Sequence, residues 1–216
     1  TFATPTVIVG DKSLVSLIAH ELAHSWSGNL VTNASWNDLW LNEGFTSYVE
    51  NRIIEALYGE EAAAMERVIA QSGLARSLKT LPKPAQILAP RPVEGSDPDD
   101  SMSDVAYDKG AWFLGFLESR VGREDFDAFL RGYFDHFAFQ SIDTGQFVGW
   151  LREHLLASHP GAVTDKELEA WLYQPGIPAS AVPTASARFE KVDAALKQWQ
   201  SGRVAAADLD TAGWVT

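Results

Sequence analysis

Apolar residues recur at helical spacing along most of the chain, and glycine or proline interrupts the rhythm at intervals. Ser13 occupies a helix N-cap position, and the run LVSLIAHELAHSW that follows meets no breaker before Gly28. On a wheel of about 100° per residue, Val15, Ile18, Ala19, Leu22 and Trp26 share a sector of roughly 80°, which predicts a core-facing stripe. His20 and His24 fall on the other side with Ser13, Leu17 and Ser27, facing a cavity. The pattern predicts a second helix over Leu41–Tyr58, closed by Gly59, and a third over Glu60–Leu78 that turns Met65, Val68, Ile69 and Leu74 inward. Further helices are expected at Val105–Val121, Arg123–Phe137, Asp143–Ser158 and Thr164–Tyr173. A last one carries the stripe Phe189, Val192, Leu196 and Trp199. That stripe should pack back on the other helices, meet a second copy or stay exposed.

Between these helices lie three irregular stretches. Gly28–Trp40 reads as a connecting loop, with three asparagines as turn formers and Trp36 and Trp40 as packing residues. Lys79–Asp104 is a long loop holding Pro82, Pro84, Pro90, Pro92 and Pro98, of a length more often functional than idle. Ala179–Thr184 reads as a linker. The β-branched run Thr6–Gly10 predicts one short strand near residues 6–9. The fold class is therefore mainly α.

Composition narrows the possible partners. The 216 residues carry a net charge of −12, which disfavours nucleic acid and anionic membrane surfaces alike. A hydrophobic fraction of 46% excludes intrinsic disorder. No apolar run approaches the ~18 residues of a membrane span. Cysteine is absent, which removes disulfides, thiolate ligands and a thiol nucleophile but names no compartment.

The chemistry is concentrated in HELAH, residues 20–24. Histidines at i and i+4 project one helical turn apart from one face, so both imidazoles can reach one metal ion. Glu21, about 100° round the helix, would lie beside the ion and could take a proton from an attacking water. Glu43, separated from His24 by 18 residues and opening the next helix, is the candidate third ligand. The bland alternative is a pair of core histidines satisfied by backbone carbonyls. The opposed apolar face, the unbroken helix and Glu43 argue for the metal.

The stretches IAHELAHSWSGNLVTN (Ile18–Asn33) and WLNEGF (Trp40–Phe45) resemble the zinc aminopeptidases of the alanyl-aminopeptidase superfamily, in particular the leukotriene A(4) hydrolase branch and its bacterial relatives. GDKSL (Gly10–Leu14), YDKG (Tyr107–Gly110) and WLYQPGIP (Trp171–Pro178) extend the likeness nearly end to end. The resemblance implies the helical lobe of a thermolysin-like zincin catalytic domain. It implies one zinc ion held by His20, His24 and Glu43, with Glu21 as general base and Tyr107 as donor to the oxyanion. Peptides are the implied substrates, cleaved at a free N-terminus. Asp99 matches an aspartate of a DPD segment in the family, and could help orient the substrate; its plainer reading is a solvated acidic loop.

Two departures qualify that likeness. Where the leukotriene hydrolase has a second tyrosine five residues before its YEKG motif, this chain has Met102, which favours plain aminopeptidase activity over lipid-epoxide hydrolysis. The family's amine-binding Gly-x-Met-Glu-Asn motif would lie upstream of TFATPT, as would its N-terminal β domain. Residues 1–178 are thus expected to be a partial catalytic domain, and residues 179–216 a linker and the first helix of a C-terminal helical domain. Turnover by these residues alone is expected to be very weak or nil. An endopeptidase of the thermolysin type and a non-catalytic scaffold are the remaining alternatives. The first would cleave N-terminally blocked peptides, and the second would carry a broken ligand set.

Overall fold

The 19-residue helix α2 (Trp40–Tyr58) is the spine of the computed structural model, which describes residues 14–91 and 102–211 together with Val7. Four elements pack on it: α1 (Val15–Ala23), α3 (Glu60–Ser77), α4 (Gly110–Val121) and a π-helical turn, Val105–Lys109, that leads into α4. Gly59 separates α2 from α3 at φ 86°, a left-handed conformation that reverses the chain at little cost only for glycine. Then come α5 (Arg123–His136), α6 (Thr144–Leu151), which continues as a π-helical turn to Leu156, α7 (Asp165–Tyr173) and α8 (Ala187–Gln200). α6 and α7 each start with a reciprocal capping box, Asp143 with Gln146 and Thr164 with Glu167.

The core is aromatic. Trp40, Phe45, Phe113, Phe126, Phe147 and Trp171 are fully buried, and the Phe45 ring stacks on Tyr133 while Phe147 meets Trp40 and Phe45 edge-on. Trp40 Nε1 donates to Thr144 Oγ1 at 3.0 Å, and Asp38 Oδ1 accepts from Thr144 N and Oγ1, both at 2.8 Å. The start of α6 is thereby tied to the start of α2. No helix among the described residues is long and apolar enough to cross a membrane.

The mainly α expectation holds, and helix ends agree to within a few residues except at α1. There the helix stops at Ala23 instead of running to Gly28. Ser27 bonds through Oγ to Thr46 Oγ1 at 2.6 Å, and Val31 N donates to Trp26 O, so the chain turns back into β1 (Val31–Asn33). β1 pairs in parallel with β2 (Gln140–Ile142), in register Val31 to Gln140. Three-residue strands carry too little alternation to be read from sequence, and both went unpredicted.

The buried stripe of α1 also differs from the expected one. Ala19 and Ala23 are buried, whereas Ile18, Leu22 and Trp26 are exposed. Alanine lets α1 approach its neighbours closely, with Ala19 and Val15 against Ile54 and Ala63, so the bulky residues turn outward. Alanines do the same in α3, where Ala63, Ala64 and Leu74 are buried and Ile69 is exposed. Trp36 is half exposed; only Trp40 of that pair is core. The apolar stripe of α8 faces α3 with Phe189 and Val192 half-buried, while Leu196 and Trp199 remain exposed. The expected strand, apart from Val7, and the stretch containing Asp99 lie outside the described residues.

Candidate metal centre and active site

α1 and α2 bring His20, His24 and Glu43 together. Glu43 Oε2 lies 3.3 Å from His20 Nε2 and 3.6 Å from His24 Nε2, and the possible ligand atoms of all three residues lie within 4.8 Å of one another. No other such cluster exists among the described residues. His20 and His24 flank the alanine seam of α1, and at the helix C-cap His24 is still held one turn beyond His20. Their rings meet edge-on with centroids 4.9 Å apart.

The outward-facing nitrogens are both occupied. His20 Nδ1 lies 2.9 Å from Glu50 Oε2, and His24 Nδ1 lies 2.9 Å from Ser27 O and 3.1 Å from Thr46 Oγ1. A ring N–H donating to a carboxylate or carbonyl fixes the tautomer that leaves Nε2 with a free lone pair. Burial opposes charge on His20, yet the carboxylates of Glu43 and Glu50 outweigh it and raise the imidazole to about 9, so a cation bound at Nε2 would have to displace a proton from it. Glu43 Oε2 is fully buried and accepts no hydrogen bond among the described residues. A buried carboxylate oxygen left without a donor, facing two imidazole nitrogens, fits a divalent cation.

Tyr107 comes from the π-helical turn and stacks over His20, ring centroids 6.0 Å apart and planes 20° from parallel. Burial first, then the nearby carboxylates of Glu43 and Glu21, push its phenol up to about 12. The hydroxyl therefore keeps its proton at any physiological pH and can act as a donor. Glu21 follows His20 on α1, half-buried. Met102 is exposed.

The motif around Glu43 divides its labour. Asn42 Oδ1 accepts from Asn33 N at 3.0 Å and so docks β1 on α2, Glu43 faces the histidines, and Gly44 lies against Gly110. A model of the peptidase family M1 domain matches residues 4–170. The chain belongs to peptidase family M1. Leucine aminopeptidase 2 of Yarrowia lipolytica is 46% identical over 189 residues, which are 82% of this chain and 29% of that protein. A leukotriene A-4 hydrolase homolog of Botryotinia fuckeliana is 39% identical over 217 residues, 99% of this chain and 33% of its own length. The leukotriene A4 hydrolase of Saccharomyces cerevisiae superposes with a TM-score of 0.86 at 41% identity, over 94% of this chain and 33% of that one. An M1 zinc metallopeptidase from Deinococcus radiodurans gives 0.59 at 29% identity, over 78% of this chain and 35% of that one. The chain thus spans about a third of the length of these M1 relatives.

Sequence reasoning missed Glu50 and Thr46. Glu50 follows Glu43 by seven residues, about two helical turns, so it shares the side of α2 that faces His20 and was open to detection. Thr46 acts through a turn that periodicity does not reveal. A groove of about 610 Å³ between α2, α3 and α4 meets this region at Glu50 and Asp108; His20, His24, Glu43 and Tyr107 do not line it.

Proposed function

We propose that this M1 chain carries the catalytic lobe of a zinc aminopeptidase. His20, His24 and Glu43 would hold the ion, since two imidazoles and a carboxylate suit zinc and leave a position open. The carrying observation is the unpartnered, buried Glu43 Oε2 facing both Nε2 atoms. Bound there, zinc would act as a Lewis acid, polarising the scissile carbonyl and making water more acidic. Glu21 takes the proton of the attacking water and returns it to the leaving amine. Tyr107 donates its phenol proton in a hydrogen bond to the carbonyl oxygen as charge develops, the stage at which a donor lowers the barrier.

Peptide hydrolysis is preferred to epoxide hydrolysis because Met102 offers a thioether where a phenol would be required. We also propose that residues 1–178 form part of a catalytic domain and that residues 179–216 lead from it, through a linker, into a helical domain. The test compares free and N-acetylated aminoacyl 4-nitroanilides with the full-length protein. Hydrolysis of the free substrate alone is expected. Glu21→Gln should lower kcat at least about a hundredfold, the usual scale for a lost general base, with zinc retained. Wild-type turnover by that variant would overturn the base assignment, and cleavage of the blocked substrate would turn the reading towards an endopeptidase.

A further inference from the structure

Two glycines of the sequence motifs meet at one point. A Cβ on Gly44 would lie 2.8 Å from Gly110 Cα and 3.0 Å from Ala106 O, and a Cβ on Gly110 would lie 2.8 Å from Gly44 Cα. The contacts are backbone to backbone, so no side-chain rotation relieves them. Glycine within a helix carries an entropic cost, and both residues are helical. What the pair achieves is the closest possible crossing of α2 with the segment that carries Tyr107. Glu43 immediately precedes one glycine, and Tyr107 lies three residues before the other.

The opposite side of the turn is anchored as well. Lys109 is completely buried and donates through Nζ to Gln86 O at 3.0 Å and Gln174 O at 2.8 Å. Gln174 belongs to WLYQPGIP, so Lys109 joins that motif to YDKG. Both anchors fall at the C-terminal end of the π-helical turn Val105–Lys109, a form whose wider turn re-aims side chains and recurs at functional sites.

We propose that the Gly44–Gly110 crossing, backed by Lys109, sets the position of the Tyr107 hydroxyl over the His20–His24–Glu43 cluster, making both glycines positioning residues for oxyanion stabilisation. This rests on the reading of Tyr107 given above. A methyl group at Gly110 would push the turn away from α2 by a distance on the order of 1 Å, a displacement that can cost about a hundredfold in rate.

The experiment is a double-mutant cycle on the full-length protein with an aminoacyl 4-nitroanilide. Gly110→Ala should lower kcat by about ten- to a hundredfold, with KM within about twofold and zinc content unchanged. In a Tyr107→Phe background it should change kcat by less than about twofold, because the group it displaces is already gone. If Gly110→Ala does not fold, Lys109→Met loosens the same turn from its other side and should show the same dependence on Tyr107. Gly115→Ala, in open space on α4, should leave kcat unchanged. Additive losses in the Tyr107→Phe background, or a loss that follows zinc content, would overturn the proposal. Wild-type kcat in Tyr107→Phe alone would overturn the oxyanion reading, and the positioning role with it.

Discussion

At His20 the two ring nitrogens have different partners, and the difference decides whether the ring can bind a metal. Nδ1 lies against Glu50, and Nε2 faces Glu43. Removing the partner of Nδ1 frees the ring to rotate and to exchange tautomers. Glu50→Ala should therefore weaken zinc binding by about ten- to a hundredfold while preserving one ion per chain, as measured by competition with a chelator of known affinity. Asp108, next to Tyr107, offers a pH test. Burial, with Asp104 and Glu50 nearby, raises its carboxyl from 3.8 to about 7. Between those values the folded chain binds more protons than the unfolded chain, so this group makes stability fall as pH rises through that window. Asp108→Asn should remove that decline, so the gain in Tm over the unsubstituted chain should be larger at pH 8 than at pH 4. An equal change at both pH values would contradict it. The clustering of His20, His24 and Glu43 was legible because ligand chemistry dictates residue type and spacing. Glu50 was open to reading from its seven-residue spacing to Glu43, whereas Thr46 and Lys109 were not, because their roles depend on contacts made only after the chain folds.

At the scale of elements, side-chain caps mark the starts of α6, α7 and α8. Thr164 accepts from Glu167 N at 3.2 Å, and Glu167 Oε2 accepts from Thr164 N at 2.9 Å. Thr164→Ala removes the hydroxyl that accepts from Glu167 N and leaves only the backbone half of that box at the entrance to α7, whose Trp171 and Leu172 are core. Urea denaturation should register a loss of about 1 kcal/mol. A change below a few tenths would show that packing of α7 makes the cap redundant. Most helices were legible because amphipathic periodicity and Gly or Ser/Thr/Asp punctuation agree. The outward turn of Ile18, Leu22 and Trp26 was not, because hydrophobicity marks what can be buried but not which neighbour approaches closely enough to bury it. Ala19 and Ala23 decide that by being small. The paired strands β1 and β2 were hidden for a related reason, since each is fixed by a partner more than a hundred residues away.

For the whole molecule, a helical lobe brings two histidines and a carboxylate together from two adjoining helices, and the remaining motifs are explained by what holds those helices and Tyr107 in place. NEG docks a strand, supplies a carboxylate and permits a close crossing, while YDKG supplies the phenol and its two anchors. Acidic net charge excluded partners without identifying any, and the specific signals lay in short strings whose meaning is geometric. The central claim is that His20, His24 and Glu43 form one zinc site, with Glu21 beside it and not part of it. Calorimetric titration of zinc into the metal-stripped 216-residue chain tests this most directly. The account predicts one site per chain, retained in Glu21→Gln and lost in Glu43→Gln. Absence of stoichiometric binding, or wild-type affinity in Glu43→Gln, would contradict it.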